Sequence, residues 1–203
     1  MKLKVCGIKY SDNGIAVAKL VPDFMGFIFY ARSKRFVGAD FEMPEIPSSI
    51  NKVGVFVNDE VSTILEKAKT YNLNYVQLHG NESPAFCKLI NNKVKVIKAF
   101  GVDDFFDFSS TSEYENYCEY FLFDTKTQSY GGSGMKFNWN ILSKYIGKKP
   151  FFLSGGIGLE EVVGFPKINS KLFAIDVNSK FEISPGLKDI NKLKILKNEL
   201  SSK

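Results

Sequence analysis

Two stretches decide the fold: Phe151-Phe152-Leu153-Ser154-Gly155-Gly156 and Phe173-Ala174-Ile175-Asp176-Val177-Asn178-Ser179. Each is a short, almost unbroken apolar run that ends abruptly in small or polar residues. Such runs fit strands buried on both faces of a parallel sheet. Working back toward the N-terminus, similar runs recur at Leu3–Cys6, Phe24–Phe29, Val53–Val57, Tyr75–His79, Val94–Phe100 and Tyr120–Asp124. Helical patterns lie between several of them. Ser11–Val21 carries Ile15, Val17, Ala18 and Val21 at helical spacing, and Asn58/Asp59 precede Val61, Ile64, Leu65 and Ala68. Ser83-Pro84 places a proline in a first helical turn. Asn138 precedes Trp139–Tyr145, and Asp189 opens a segment with Ile190, Leu193, Leu196 and Leu200 on one face.

Eight strands in 203 residues leave about 25 residues per strand–helix unit, enough for a small closed (β/α)8 TIM barrel. An open doubly wound sheet usually has five or six strands, so the count favours closure. Residues 1–203 therefore read as a single (β/α)8 barrel catalytic domain of the α/β class. Two units look weak. Gly38, Pro44 and Pro47 crowd Ala39–Ser49, which leaves room for a short helix 2 only. Asp103–Tyr117 is acidic, Ser-rich and aromatic with little periodicity, so helix 5 is expected to be degraded.

Composition narrows the function classes. The chain has 44% hydrophobic and 24% charged residues, ordinary for a globular protein. No apolar stretch approaches a membrane span, and MKLKVCGIKY lacks the apolar segment of a signal peptide. The net charge of +5 favours anionic small molecules, while Lys192, Lys194, Lys197 and Lys203 read as a solvated helix face rather than a nucleic-acid patch. No membrane or nucleic-acid partner is expected. Cys6, Cys87 and Cys118 are odd in number and widely spaced, which suggests reduced thiols in a cytoplasmic protein. One histidine rules out a His-rich metal site.

In a barrel of this kind chemistry gathers at the C-terminal ends of the strands. There the chain offers Cys6-Gly7, the basic loop with Arg35, Gln77-Leu78-His79, Asp124-Thr125, Gly155-Gly156 and Asp176-Val177-Asn178-Ser179. The Gly155-Gly156 turn, with a Ser-bearing turn after the next strand, suits a phosphate held by backbone N–H groups. Closure makes strand eight a neighbour of strand one, so Asp124 and Cys6 flank that cradle from opposite sides. A carboxyl and a thiol so placed suggest an acid–base pair. The apolar Phe121-Leu122-Phe123 would raise the carboxyl pKa and keep some of it protonated. A buried structural thiol and a helix-capping aspartate are the plain alternatives. Arg35, on the strand-two loop across the mouth from the phosphate, could clamp a carboxylate bidentately. His79 and Asp176 would line the pocket, and Gly131-Gly132-Ser133-Gly134, with Gly132 at its centre, could form a lid or a plain flexible loop.

Taken together, seven ordered stretches resemble the phosphoribosylanthranilate isomerases of tryptophan biosynthesis: Lys4–Ile8, Gly26–Tyr30 through Phe36, Val53–Asn58, Val76–Gly80, Asp124–Thr127 through Trp139, Leu153–Gly156 and Pro185–Asp189. The resemblance implies a (β/α)8 barrel with no metal or organic cofactor. It implies an Amadori rearrangement of an aminoaldose, N-(5-phosphoribosyl)anthranilate, to an aminoketose. It gives Cys6 as general base, Asp124 as general acid, Arg35 as the anthranilate-carboxylate ligand, and phosphate binding to Gly155, Gly156, Asn178, Ser179 and Lys180. The chain departs from the family pattern at Lys180, where glycine is usual, and at Glu161, Asn138 and Lys9. A glycine of positive φ at position 180 would make lysine costly there. Other phosphosugar barrel isomerases, including histidine-pathway or dual-substrate enzymes, and a non-catalytic phosphate-binding barrel remain open alternatives, as do monomer and homodimer.

Overall fold

The computed structural model describes residues 1–126, 137–163 and 168–201. Eight parallel strands close into a barrel in sequence order: β1 (Lys2–Val5), β2 (Phe24–Ile28), β3 (Asn51–Phe56), β4 (Tyr75–Leu78), β5 (Lys95–Val102), β6 (Tyr120–Thr125), β7 (Phe151–Leu153) and β8 (Leu172–Val177). The ring is sealed where β1 runs beside β8, with Lys4 opposite Asp176 and Val5 opposite Val177. Closure removes every sheet edge, which is how near-continuous apolar strands avoid pairing with other chains.

Alternation along each strand splits the core in two. Outward residues such as Val5, Met25, Phe56, Val76, Phe121 and Ile175 pack beneath the surrounding helices and loops. Inward residues Phe24, Val53, Tyr75, Ile97, Ala99, Leu122, Phe152 and Ala174 fill the barrel itself. Phe24 meets Tyr75 and Phe152 edge-on, with centroids 5.6 and 5.1 Å apart. That arrangement suits the opposed charge of ring faces and edges.

The connections are shorter than the sequence suggests. Helices α1 (Ser11–Ala18), α2 (Val61–Thr70), α3 (Pro84–Asn91), α4 (Leu159–Val163) and α5 (Ile190–Ser201) flank the barrel. The short helix 2 expected between β2 and β3 is absent: residues 29–50 form turns and irregular chain. Prolines 44 and 47 remove backbone donors there, and Phe41 instead packs on Phe27 and Tyr71. The degraded fifth helix is a 3-10 helix, Phe108–Tyr117, capped by Asp107. Trp139–Lys144 is also 3-10 rather than α, with Asn138 capping it through Asn140 N–H. Ser83 caps α3 by accepting from Phe86 N–H, and Asp189 accepts from Asn191 and Lys192 N–H at the start of α5. Asn58/Asp59 do not cap α2, which starts after Glu60. Asn58 takes a left-handed φ of 53° and accepts from Asn81 N–H instead, joining the loops after β3 and β4. One hairpin was not expected: β9 (Glu182–Ser184) and β10 (Leu187–Lys188), antiparallel, after β8. No helix among the described residues is long and apolar enough to cross a membrane.

A buried ion pair ties the same loops to the sheet. Lys98 of β5 points outward and gives its ammonium to Glu82, at 3.0 Å, and to the carbonyls of Leu78, Gly80 and Ala99. Glu82 in turn accepts from the N–H groups of Asn58 and Gly80. Both side chains are almost fully buried. Removing one partner strands a charge, so Lys98→Met is expected to cost about 3–5 kcal/mol in urea unfolding; a loss below about 1 kcal/mol would show the pair to be dispensable.

Candidate active site

On β4, β6 and β8 the inward phase turns from apolar to polar toward the C-terminal end. On β4 the order is Tyr75, Gln77, His79; on β6 it is Tyr120, Leu122, Asp124; on β8 it is Ala174, Asp176, Asn178. On β1, Lys4 is followed by Cys6. These side chains gather above the apolar barrel floor.

Lys4 is fully buried. Its ammonium donates to Asp176 Oδ2 at 2.9 Å and to Gln77 Oε1 at 2.8 Å. Burial opposes its charge, but Asp176 and Cys6 outweigh that and hold Lys4 protonated. Gln77 Nε2 reaches His79 Nδ1 at 2.7 Å, and His79 Nε2 stands 3.4 Å from Asp124 Oδ2. A continuous polar chain thus crosses the barrel from β8 and β1 to β6. Asp176 Oδ1 is buried with no hydrogen-bond partner among the described residues.

Cys6 is buried at the end of β1, its N–H donating to the carbonyl of Val177 at 2.9 Å. Gly26 of β2 makes room for the thiol: a Cβ there would stand 2.6 Å from Sγ. Burial raises the thiol pKa; Lys4 and Lys188 pull it down, and Asp176 pushes it up. The surroundings of this thiol are charged, unlike those of an ordinary buried cysteine.

Asp124 does not sit in the apolar setting expected from Phe121-Leu122-Phe123. Those residues face elsewhere or lie deeper, while Oδ1 accepts from Thr125 N–H at 2.8 Å and Oδ2 faces His79. The turn after β7 presses on this carboxylate. Gly155 and Gly156 have φ of 90° and 66°, and a Cβ at 155 would lie 3.0 Å from Asp124 Oδ1. Both positive φ and the space require glycine. The N–H groups of Gly155 and Gly156 find no acceptor among the described residues.

Arg35 lies nearer to Cys6 than its place on the β2 loop suggests. Its Cδ would be 2.8 Å from a Cβ on Gly7. Its Nε and Nη2 hold Glu182 at 2.7–3.0 Å. Glu182 also takes the ammonium of Lys188 at 2.7 Å. Burial would raise the Glu182 carboxyl; Arg35 and Lys188 overcome this and keep it below the usual range. Lys188 is buried, and its second bond goes to Asn178 Oδ1 at 2.7 Å. Asn13 fixes it from behind by exchanging two hydrogen bonds with its backbone.

Asn178 therefore turns its side-chain oxygen to Lys188. Ser179 and Lys180 lie in a 3-10 turn, Ser179–Phe181, close to the Gly155-Gly156 turn in the ring order. Lys180 has no positive φ, so lysine meets no backbone strain there, and its side chain is exposed. Glu161, the other departure nearby, accepts from Gly158 N–H at the start of α4. Gly132 and the rest of the candidate lid lie outside the described residues. No group of three or more His, Cys, Asp or Glu among the described residues is placed to hold a metal ion.

Sequence reading placed Gln77 at a strand end without a role and did not foresee Lys4, Glu182 and Lys188 as parts of this site. Lys4 and Gln77 carried a signal: a lysine and a glutamine in the inward phase of otherwise apolar strands. Glu182 and Lys188 carried none, because the hairpin that brings them over the barrel was not legible.

Comparison with known proteins places this geometry. The family model described as "N-(5'phosphoribosyl)anthranilate (PRA) isomerase" matches residues 3–198. A Parabacteroides distasonis protein named N-(5'-phosphoribosyl)anthranilate isomerase is 50% identical over 200 residues, covering 96% of this chain and 90% of that protein. The crystal structure of phosphoribosyl anthranilate isomerase from Thermotoga maritima superimposes with a TM-score of 0.87 at 33% identity, over 100% of both chains. A further crystal structure of such an isomerase, in complex with reduced 1-(o-carboxyphenylamino)-1-deoxyribulose 5-phosphate, matches with a TM-score of 0.82 at 29% identity, over 100% of both chains. From the sealed eight-strand barrel to the ring of strand ends that carries Cys6 and Asp124, the chain belongs to the N-(5'-phosphoribosyl)anthranilate isomerase family.

Proposed function

We propose that this chain is an isomerase of tryptophan biosynthesis that converts N-(5-phosphoribosyl)anthranilate to its aminoketose by an Amadori rearrangement. One observation carries the reading: Cys6 and Asp124 stand at C-terminal strand ends on either side of the β7 and β8 turns, amid charged partners. The relative crystallised with a reduced product supports the substrate class.

The reaction needs an acid and a base on one substrate. Asp124, protonated, gives its proton to the ribose ring oxygen as the C1–O bond breaks. The anthranilate nitrogen supplies its lone pair, and C1=N forms with a positive charge. Cys6 thiolate takes the C2 proton, and the C2–H electrons form C1=C2 and neutralise the nitrogen. The enol hydroxyl then loses its proton as C1 gains one, giving the ketone. Solvent exchange returns a proton to Asp124 and removes one from Cys6. The N–H groups of Gly155, Gly156, Ser179 and Lys180 suit the phosphate. Arg35, held on one edge by Glu182, presents the rest of its guanidinium to the anthranilate carboxylate. Fixing both ends holds C2 against the thiol. The chemistry and composition suit a cytoplasmic enzyme.

Cys6→Ser and Asp124→Asn are each expected to lower kcat by at least about 10²-fold while product-analogue binding persists in calorimetry. Wild-type turnover in either variant would refute the acid–base assignment. Arg35→Ala should raise KM strongly with a smaller change in kcat; an unchanged KM removes Arg35 from the site. Because kcat/KM reports the free enzyme, its rise with pH should follow ionisation of a thiol held up by burial. The low-pH limb is therefore expected above the ordinary cysteine range. A limb well below that range would show that the neighbouring ammoniums outweigh burial. Expression of the wild-type chain should restore growth of a tryptophan auxotroph lacking this isomerase step, and failure to do so would sink the functional reading.

A further inference from the structure

We infer that Lys4 and Gln77 act as positioning residues for Asp124: they fix the chain's single histidine, His79, with its proton on Nε2, aimed at the Asp124 carboxylate. The inference rests on the acid role proposed for Asp124. Its structural half does not.

The argument is one of donors and acceptors. An ammonium has donors only. Lys4 reaches Gln77 at 2.8 Å, so the atom of Gln77 facing it must be the amide oxygen. The amide nitrogen therefore faces His79 Nδ1, at 2.7 Å. That nitrogen carries only donors, so Nδ1 must accept and bear no proton. A neutral imidazole then keeps its proton on Nε2. Nε2 stands 3.4 Å from Asp124 Oδ2, long for a hydrogen bond and of the kind that tightens when a site is occupied. Every link in the order follows from the first, because Lys4 cannot accept.

Lys4 is held in that role from its other side. Asp176 takes its second bond, and the pair is shut away from water. A neutral Lys4 could let the amide of Gln77 turn over; the ion pair prevents that. The consequence for chemistry is differential. In the proposed acid role, negative charge develops on Asp124 as it gives its proton to the ring oxygen. The His79 N–H and the Thr125 N–H face the two carboxylate oxygens at that moment. Donors aimed at charge that develops during the reaction lower its barrier without tightening ground-state binding. The opposite tautomer would present a lone pair to that charge.

One histidine makes the order directly readable. The test is the imidazole 15N spectrum of the wild-type protein, followed over pH and read for its neutral form. An Nε2–H tautomer is expected; an Nδ1–H tautomer overturns the inference without any variant. Gln77→Leu should release the tautomer preference and lower kcat by about tenfold with KM nearly unchanged. Gln77→Glu can still accept from Lys4 but cannot donate to Nδ1. The proton of His79 should then move to Nδ1, toward the new carboxylate, with a similar loss of kcat. Thermal unfolding confirms that both variants fold. A tautomer that ignores either substitution, or a shifted tautomer with wild-type kcat, overturns the positioning role. An Nε2–H signal in a wild type without isomerase activity would refute the functional reading and leave the hydrogen-bond order standing.

Discussion

A fully buried ammonium on β1 governs the inside of this barrel. Lys4 shows no exposed surface, and an ion of that size removed from water costs several kcal/mol unless its partners are close and well oriented. It therefore demands a carboxylate and an acceptor on neighbouring strands, and Asp176 and Gln77 supply them. Removing Asp176 would leave the ammonium without a counter-charge, whereas removing Gln77 would leave one of its donors unpaired. They also divide the interior. Beneath them the barrel is filled by Phe24, Tyr75, Leu122 and Phe152. Above them come Cys6, His79, Asp124 and Asn178. The polar half faces the C-terminal ends of the strands because β4, β6 and β8 run from their apolar to their polar inward residues in the same direction.

A second network closes that half from the side. Arg35 reaches across from the β2 loop, Glu182 and Lys188 come from the hairpin after β8, and Asn13 anchors Lys188 to α1. Two cationic side chains share one carboxylate near Cys6, and burial together with Arg35 pushes Lys188 below its usual range. Its members come from parts of the chain more than 140 residues apart in sequence. Barrel closure brings them together, since β8 lies against β1 and β1 against β2. Fold and site are thus one construction: without the β1–β8 seam, Lys4 loses Asp176 and Glu182 loses Arg35.

The parts that sequence made legible share a physical cause. Strands buried on both faces write a continuous apolar run, and all eight were readable for that reason. Ser83 and Asp189 were readable as caps because their oxygens satisfy donors one turn on. The strand-end positions of Cys6, Asp124 and Gly155-Gly156 followed from the topology. What failed depended on tertiary contact. The short helix after β2 gave way to turns because its prolines cannot continue a ladder and its aromatics found partners on Phe27 and Tyr71. Asn58 resembles a helix cap in sequence, yet its oxygen serves the neighbouring loop. The polar surroundings of Asp124 could not be read from its apolar predecessors, because its partners are His79 just after β4 and the N–H of Thr125. Lys180 looked costly only while a positive φ was assumed for it.

Three buried thiols in one chain show what separates a candidate base from a structural cysteine. Cys87 and Cys118 lie against one another beneath the helical layer; their mutual hydrogen bond lowers Cys87 and, with burial, raises Cys118, and neither stands at the C-terminal end of a barrel strand. Cys6 is buried too, and burial also raises it. Two ammoniums, Lys4 and Lys188, oppose that rise, whereas Asp176 reinforces it. In the free protein burial still wins. In the proposed reaction, protonation of the ring oxygen creates a positively charged C1=N next to the C2 proton that the thiol must remove. That charge draws electrons from the C2–H bond, so the thiolate removes the C2 proton readily only once Asp124 has acted. The order of the two proton transfers follows from electrostatics: opening the ring makes C2 acidic.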